Sequence, residues 1–345
     1  MHTKVIDVDD SQRVASQLVE AIGLLRDGEV VAVPTETVYG LAADALNPDA
    51  VAKIFEAKGR PSYDPLIVHL ASYRAVHKVA KVPEEQMELF EALAEEFWPG
   101  PLTLVLPKQD CVPDIVTAGL PTVAVRISAH PVMRTLVREG GMPLAAPSAN
   151  RFGKISPTGA FAVMSELDGK IPLILNSGAC PEGIESTIIA LEPPKKNKPI
   201  IRILRPGPVT REMLRPFGQV VIKAKPGEKV VAPGTLDSHY SPSKPFLLLD
   251  KPEDFVPEEG VRYGLLSYRD SPKDGFSELH EWTDKQVLSP GKGKAIEAAT
   301  RLYFMMRKLD ENPEVDVIIS ETVTNAGLGM AIADRLRRAS AKKDS

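Results

Sequence analysis

Short apolar runs alternate with helical stripes along the chain, and several of the runs end in proline or in hydroxyl side chains. Residues 30–33 form one such run, and Pro34 cannot donate to a sheet ladder, so we expect a buried strand to end there. Before it, residues 12–27 carry apolar side chains at the spacing of one helix face and end in the turn signal Asp27-Gly28. The pattern predicts a helix, a turn and a buried strand that leads into a polar segment.

The same alternation continues beyond this segment. It predicts helices at residues 50–57, 84–97 and 294–309, and strands at 66–70, 102–106, 122–127, 173–176, 246–249, 261–267 and 315–320. Strands that alternate with helices are typical of α/β folds, which favours a small parallel α/β domain beyond residue 244. Residues 209–243, in which proline, glycine and lysine are frequent, form the predicted boundary before that domain.

Composition narrows the class of protein. A chain of 345 residues exceeds what one core usually serves, so two domains are expected. No apolar run approaches the ~20 residues that cross a bilayer, and the N-terminus lacks the pattern of a signal peptide, so we expect a cytoplasmic protein without a membrane segment. Cys111 and Cys180 form neither a metal-ligand spacing nor a disulfide framework. The net charge of -4 argues against a large static nucleic-acid surface.

Polar and basic side chains follow the predicted strands at several of their ends. These residues are Thr35, Thr37, Lys58, Arg60, His69, Arg126, Ser148, Asn150, Ser186 and Arg205. Together they predict a cationic, hydroxyl-rich cleft with few acids, which suits phosphates and an amino-acid carboxylate. No Walker sequence and no Gly-x-Ser-x-Gly elbow is present, so neither a P-loop nor a serine nucleophile is expected.

Two of these residues allow a purely structural interpretation. Arg126 lies among apolar neighbours, and a buried guanidinium needs either a protein carboxylate or an anionic ligand beside it. His69 lies in an apolar strand, where a hydrogen-bonded core residue is the commoner role. The residues alone leave both alternatives open.

Eight segments in register resemble the threonylcarbamoyl-AMP synthase family, whose catalytic domain is YrdC-like. They are PTETVYGL (34–41), Lys58-x-Arg60, PLIVH (65–69), WPGPLT (98–103), TVAVR (122–126), APSAN (146–150), GIEST (183–187) and LRPG (204–207). A linker that reads PGTLDSHYSP (233–242) is similar to that of the long family form. The resemblance implies a catalytic YrdC-like domain at residues 1–215, a linker or lid at 216–243 and a Rossmann-like accessory domain at 244–345. It also implies that the first domain is a twisted mixed sheet with helices and a concave active-site face.

The resemblance implies a reaction as well: L-threonine, bicarbonate and ATP give threonylcarbamoyl-AMP and pyrophosphate, the first step of the threonylcarbamoyladenosine (t6A) modification of tRNA. The implied L-threonine ligands are Thr37, His69, Arg126, Ala146 and Ser186. The implied ATP ligands are Lys58, Arg60, Asp64, Thr122, Ser148, Asn150, Ser156, Arg205 and Tyr240. Lys58 and Arg60 are the expected catalytic residues, Mg²⁺ is expected together with ATP, and a downstream tRNA threonylcarbamoyl transferase is the expected partner.

Two other classes of protein compete with this interpretation. An RNA-binding protein could use the cationic concave face, but the acidic net charge and the lack of interleaved aromatic residues disfavour stable nucleic-acid binding. A carbamoyl transferase of hydrogenase maturation would need cysteine-rich zinc modules, which two cysteines cannot supply. The segment Asn325 to Gly329 suggests a phosphate loop only weakly, and a tight turn is favoured there.

Overall fold

The computed structural model of the chain describes residues 2–9, 14–195, 198–222 and 239–341. Their contacts divide the chain into two units. The first contains the described residues up to Phe152, Pro157–Pro181 and the described residues from Glu185 to 222. The second contains Gly153–Ser156, Glu182–Ile184 and residues 239–341. Residues 223–238 of the predicted linker lie outside the described residues.

The strands of the first unit join one mixed sheet. They are β1 (Lys4–Asp7), β2 (Val31–Val33), β3 (Gly40–Asp44), β4 (Ile67–His69), β5 (Leu102–Pro107), β6 (Thr122–Arg126), β7 (Leu144–Ala145), β8 (Leu173–Asn176), β9 (Thr187–Lys195), β10 (Lys198–Arg205) and β11 (Gln219–Val221). Among the described residues their order is β1-β8-β2-β3-β7-β4-β6-β5-β9-β10-β11. The centre of the sheet combines a parallel β4–β6 pair with antiparallel β5–β6 and β4–β7 pairs.

Helices accompany this sheet. They are α1 (Val14–Gln17), α2 (Val19–Arg26), α3 (Pro48–Lys58), α4 (Val76–Val79), α5 (Met87–Phe97), α6 (Asp114–Thr117), α7 (Pro131–Gly140), α8 (Ala160–Leu167) and α9 (Arg211–Leu214). The single helix predicted at residues 12–27 is broken at Leu18, where ψ is near 1° and the chain turns before α2 begins. Asn47 caps α3 by accepting from the backbone N–H groups of Asp49 and Ala50, and Gly59 ends it in the left-handed conformation.

Apolar side chains cover both faces of the sheet. Along β2, Val31 and Val33 belong to one buried cluster and Ala32 to another, because successive residues of a strand point to opposite faces. This explains why residues 30–33 are continuously apolar rather than alternating. Trp98 is buried in the larger cluster, edge-on to Phe90.

The second unit contains a parallel sheet, with strands in the order β12-β15-β13-β14 among the described residues. Its elements are β12 (Phe246–Leu249), β13 (Tyr263–Ser267), β14 (Asp284–Val287), β15 (Val317–Glu321), α10 (Ala295–Glu311) and α11 (Gly329–Ser340). Trp282 packs in an aromatic cluster with Phe255 and His280. The parallel α/β domain predicted beyond residue 244 is confirmed. In the part of the chain that is described, no helix combines the length and apolarity that crossing a membrane requires.

Candidate active site

The turn between β2 and β3 is built by threonine hydroxyls. Pro34 ends the strand, and Thr35 Oγ1 accepts from the backbone N–H groups of Thr37 and Val38 while it donates to the Val38 carbonyl at 2.6 Å. Because the Thr35 proton is used in this way, the 2.9 Å contact between the two hydroxyls has Thr37 as its donor. The lone pairs of Thr37 Oγ1 are therefore available to accept a hydrogen bond from a cation.

That cation is Arg126, at the end of β6. The strand register places Arg126 level with His69 of β4 on one side and Thr103 of β5 on the other. Its Nη1 donates to Thr37 Oγ1 at 2.9 Å, and its Nε donates to the Gly100 carbonyl at 3.2 Å. A guanidinium has five N–H donors, so these bonds leave donors over for a further acceptor.

Glu36 is a protein carboxylate beside Arg126. The sequence alone had left open whether Arg126 meets a protein carboxylate or an anionic ligand. Its Oε1 lies 2.7 Å from Arg126 Nη2, yet Nη2 has no aligned hydrogen-bond acceptor among the described residues, so we treat the contact as an ion pair. Burial alone would raise the pKa of Glu36, but the charge of Arg126 and hydrogen bonds from Ser128 and from the Ala129 N–H outweigh it and lower the pKa to about 2. Glu36 is therefore an anion at neutral pH.

His69 is held neutral beside this ion pair. Burial is the larger cause and the charge of Arg126 the next, and together they lower the pKa of His69 from 6.5 to about 3 against the opposing effect of Glu36. Its Nδ1 is buried and has no hydrogen-bond partner among the described residues. An unsatisfied buried ring nitrogen next to an arginine with a spare donor is the arrangement that a polar ligand would complete.

Ser186 directly precedes β9 and lies beside Thr103, which the strand register places level with Arg126. Its Oγ lies 2.8 Å from Thr103 Oγ1, and Arg205 donates through Nη2 to the Ser186 hydroxyl at 3.1 Å and to its carbonyl at 3.0 Å. The segment after β10 can approach this closely because residue 207 is glycine: a Cβ there would lie 2.4 Å from the Thr187 backbone nitrogen. Thr37, His69, Arg126 and Ser186 of the predicted threonine set are thus brought together.

Ala146, the remaining member of that set, is a buried neighbour of β4. Its backbone N–H donates to the Ile67 carbonyl, and its Cβ lies 3.2 Å from where a Cβ on Gly40 would be. Its side chain is a single methyl group, so Ala146 offers no polar side-chain contact.

Lys58 ends α3 and reaches the segment that follows β7. Its Nζ donates to the carbonyls of Ser148 and Asn150, at 2.5 Å in each case. The lysine is buried, and burial, followed by the nearby charge of Arg60, lowers its pKa well below 10.5. The structure therefore connects Lys58, Ser148 and Asn150 of the predicted nucleotide set through one ammonium group.

Arg60 is ion-paired with Asp64. Nη2 of Arg60 lies 2.9 Å from Asp64 Oδ2 and 2.8 Å from the Pro65 carbonyl, and both side chains are buried. Extending the β4–β6 register by two residues puts Thr122 level with Pro65. Thr122 and Arg126 lie at opposite ends of β6, about 13 Å apart at ~3.3 Å per residue. Thr122 therefore lies near the Arg60–Asp64 pair. It is distant from Thr37, His69, Arg126 and Ser186, which are called the threonine row below.

The last two predicted ligands, Ser156 and Tyr240, belong to the second unit. Tyr240 is buried, has a φ of 63°, and packs its ring 5.7 Å from that of Tyr303 with the Arg335 guanidinium 5.2 Å from the ring centre. Ser156 is also buried. The roles of both residues toward ATP stay predictions.

Sequence reasoning missed Glu36, Thr103 and Ser128. Two of them lie inside the quoted segments PTETVYGL and WPGPLT, and Thr103 is a polar residue in the otherwise apolar β5. The only signal available was the requirement that a buried Arg126 have a carboxylate nearby. The described residues contain no group of three or more His, Cys, Asp or Glu side chains that could hold a metal ion.

Known proteins resemble this chain over nearly its whole length. A family model described as telomere recombination matches residues 23–207, and one described as the C-terminal domain of threonylcarbamoyl-AMP synthase matches residues 209–341. The threonylcarbamoyl-AMP synthase of Pyrococcus abyssi is 40% identical over 339 residues, which is 93% of each chain. The chain belongs to the threonylcarbamoyl-AMP synthase family.

Further members of the family match over similar lengths. The Bacillus subtilis threonylcarbamoyl-AMP synthase is 39% identical over 355 residues, or 98% of each chain. Among solved structures, the crystal structure of P. abyssi Sua5 complexed with L-threonine has a TM-score of 0.84 at 39% identity and covers 98% of each chain. The family and the fold class predicted from the sequence are confirmed.

Proposed function

We propose that the protein is an L-threonylcarbamoyladenylate synthase, a nucleotidyltransferase that converts L-threonine, bicarbonate and ATP into threonylcarbamoyl-AMP and pyrophosphate. Family membership over nearly the whole chain supports the enzyme class. Within the structure, the observation that carries the proposal is the buried Arg126 guanidinium, which has more N–H donors than its contacts to Glu36, Thr37 and Gly100 use and which lies level with the unsatisfied His69. An amino-acid carboxylate with a neighbouring hydroxyl group would satisfy both.

Each side chain of the threonine row, together with Ala146, has a proposed role in binding L-threonine. Arg126 pairs with the substrate carboxylate through its spare donors. His69, which is neutral, can exchange a hydrogen bond with the threonine hydroxyl, as can Ser186, while Ala146 contacts the methyl group. Thr37 acts by orienting Arg126, since its hydroxyl already accepts from Nη1.

The second set of residues is assigned to ATP. Lys58 and Arg60 provide positive charge, and Asp64, Thr122, Ser148, Asn150, Ser156, Arg205 and Tyr240 complete the proposed nucleotide ligands. The donors here are ammonium, guanidinium and hydroxyl groups, and Asp64 is engaged by Arg60. These groups suit a magnesium ion that arrives on the phosphates, where it neutralises charge on ATP. Asp64 then acts through Arg60 by fixing its position.

The chemistry needs no side-chain nucleophile. The threonine amine adds to CO₂ from bicarbonate and loses a proton, which gives a carbamate. A carbamate oxygen forms a bond to the α-phosphorus while the bond from that phosphorus to the bridging oxygen breaks, and pyrophosphate leaves with the electron pair. Positioning and stabilisation of the developing negative charge by Lys58 and Arg60 are what the protein supplies.

The RNA-binding alternative is weaker in the structure. Arg60 and Arg126 are buried, and each has a carboxylate within 3 Å, so neither offers exposed positive charge to a phosphate backbone. A protein that consumes the adenylate, such as a tRNA threonylcarbamoyl transferase, remains the proposed downstream partner, and the cytoplasm the proposed location.

Pyrophosphate release from ATP tests the proposal. We expect release that requires L-threonine and bicarbonate together, and product that carries both threonine and AMP by mass spectrometry. Release at the same rate when either co-substrate is omitted would show that the protein catalyses a different reaction.

A further inference from the structure

The Arg126 guanidinium and the groups around it together carry no net charge. Glu36 is an anion 2.7 Å from Nη2, and Thr37 and the Gly100 carbonyl are neutral. His69, level with Arg126 on the neighbouring strand, is neutral as well. A pocket meant only to collect a carboxylate would leave the arginine unopposed, because a nearby anion weakens the attraction of any second anion.

Hydrogen bonds from the protein hold the Glu36 carboxylate in place. Ser128 Oγ donates to its Oε2 and the Ala129 N–H donates to its Oε1 at 3.0 Å, while Ser128 itself accepts from the His130 N–H at 3.2 Å. The carboxylate is buried, and its Oε1 lies 2.7 Å from Arg126 Nη2. Its negative charge therefore lies directly beside the positive charge of Arg126.

We propose that Glu36 is a positioning and charge-balancing residue that makes the pocket select a zwitterionic amino acid over small monoanions of the same shape. The inference rests on the proposed function, because it takes threonine as the substrate. A zwitterion brings its own positive charge and is attracted by the Arg126–Glu36 pair as a dipole. A monoanion such as a hydroxy acid, or bicarbonate itself, gains from Arg126 and loses to Glu36.

Calorimetric titration with two ligands tests this selectivity. One is L-threonine, and the other is (R)-3-hydroxybutanoate, which keeps the carboxylate and the hydroxyl but lacks the amine. We expect Glu36→Gln to reduce the preference for threonine over hydroxybutanoate by at least ~10-fold, because the anion binds better and the zwitterion worse once the negative charge is gone. A purely structural role would weaken both ligands by one factor and leave their ratio at the wild-type value, which would overturn the inference.

Two further variants complete the design. Glu36→Asp keeps the charge and should keep the wild-type ratio, and it tests the inference even where Glu36→Gln does not fold, since a lost ratio in Glu36→Asp also contradicts it. Glu192→Gln removes a carboxylate from Arg202 on the β9–β10 hairpin, and it should leave the ratio unchanged. Wild-type protein that binds no threonine would instead contradict the proposed function, so the two failures are distinguishable.

Discussion

His69 is a histidine that the fold keeps uncharged. Its ordinary pKa of 6.5 falls to about 3, chiefly through burial and then through the positive charge of Arg126. The unfolded chain therefore binds a proton between these two values that the folded chain does not bind. Stability from this group is full above pH 6.5 and is lost as the pH falls towards 3.

The acid sensitivity of the fold should depend on His69. Between pH 7 and pH 5 the free energy of unfolding should fall by about 2 kcal/mol from this group alone. In His69→Gln that part of the decrease should disappear, because glutamine does not titrate. Urea denaturation at the two pH values measures the difference. His77→Gln, at an exposed histidine, is the matched control and should behave as the wild type; a His69→Gln protein with the wild-type pH dependence would contradict the assignment.

Lys58 is the proposed source of positive charge in the transition state. We expect Lys58→Ala to lower kcat by ~100-fold while the Kd for ATP changes much less, because the charge acts mainly on the transition state. Single-turnover kinetics and ATP titration separate the two effects. Lys53→Ala, at a half-exposed lysine of α3 that pairs with Glu29, should retain turnover. If Lys58→Ala turns over at the wild-type rate, the lysine has only the structural role of holding the carbonyls of residues 148 and 150.

At the scale of elements, β5, β9 and β10 share a small polar junction inside apolar surroundings. Thr103 of β5 pairs with Ser186 just before β9, and Arg205 at the end of β10 binds Ser186 from the other side. Three elements are held in register by these contacts, and each contact involves a group that is buried. Because an unsatisfied buried hydroxyl is unfavourable, removing one member of this junction should lower the stability of the fold.

The Thr103 hydroxyl should therefore matter for the substrate as well as for the fold. Thr103→Val keeps the shape of the side chain and removes the partner of Ser186, which should lower stability by about 1 kcal/mol and raise the KM for threonine several-fold. Thr187→Val removes a hydroxyl that donates to the Val209 carbonyl, and it should lower stability without raising that KM. Equal KM effects in the two variants would show that the junction has no specific link to substrate binding.

Local pattern was enough to predict several of these elements. The strand at residues 173–176 has the predicted bounds, and those at 102–106 and 122–127 differ from the structure by one residue, since apolar runs bounded by proline or glycine define their own ends. The strand β14 was missed because its sequence, DKQV, has no apolar alternation. Glu36 was missed as the partner of Arg126 because the two are distant in sequence, and the turn after β2 meets the end of β6 only in the folded sheet.

At the scale of the whole molecule, the division into two units does not follow the order of the chain. Residues Gly153–Ser156 and Glu182–Ile184 belong to the second unit, although the chain on either side of them belongs to the first. Within the second unit, Arg307 of α10 donates to the Ile155 carbonyl. A Cβ on Gly183 would lie 2.4 Å from Thr300 Cα of the same helix. In the sequence, only Glu185 separates Ile184 of the second unit from Ser186 of the first.

Gly183 should be intolerant of any side chain. It has a φ of +71°, so Gly183→Ala is strained by its backbone conformation and also meets the backbone of α10. We expect a loss of at least ~2 kcal/mol, with faster hydrogen exchange in α10. Gly178→Ala carries the same conformational strain, with a φ of +78°, but has open space, and should lose only about 1 kcal/mol. Similar losses in both variants would mean that the 182–184 segment can move away from α10 without difficulty.

The two tryptophans of the chain are distributed one to each unit. Trp98 lies edge-on to Phe90 in the core of the first, with its indole N–H donating to the Leu102 carbonyl, and Trp282 packs with Phe255 in the second. The intrinsic fluorescence of the protein is therefore a sum of two signals with separate origins. Replacing either indole with phenylalanine leaves an optical probe confined to one unit, so the order in which the units melt can be followed without attaching a dye.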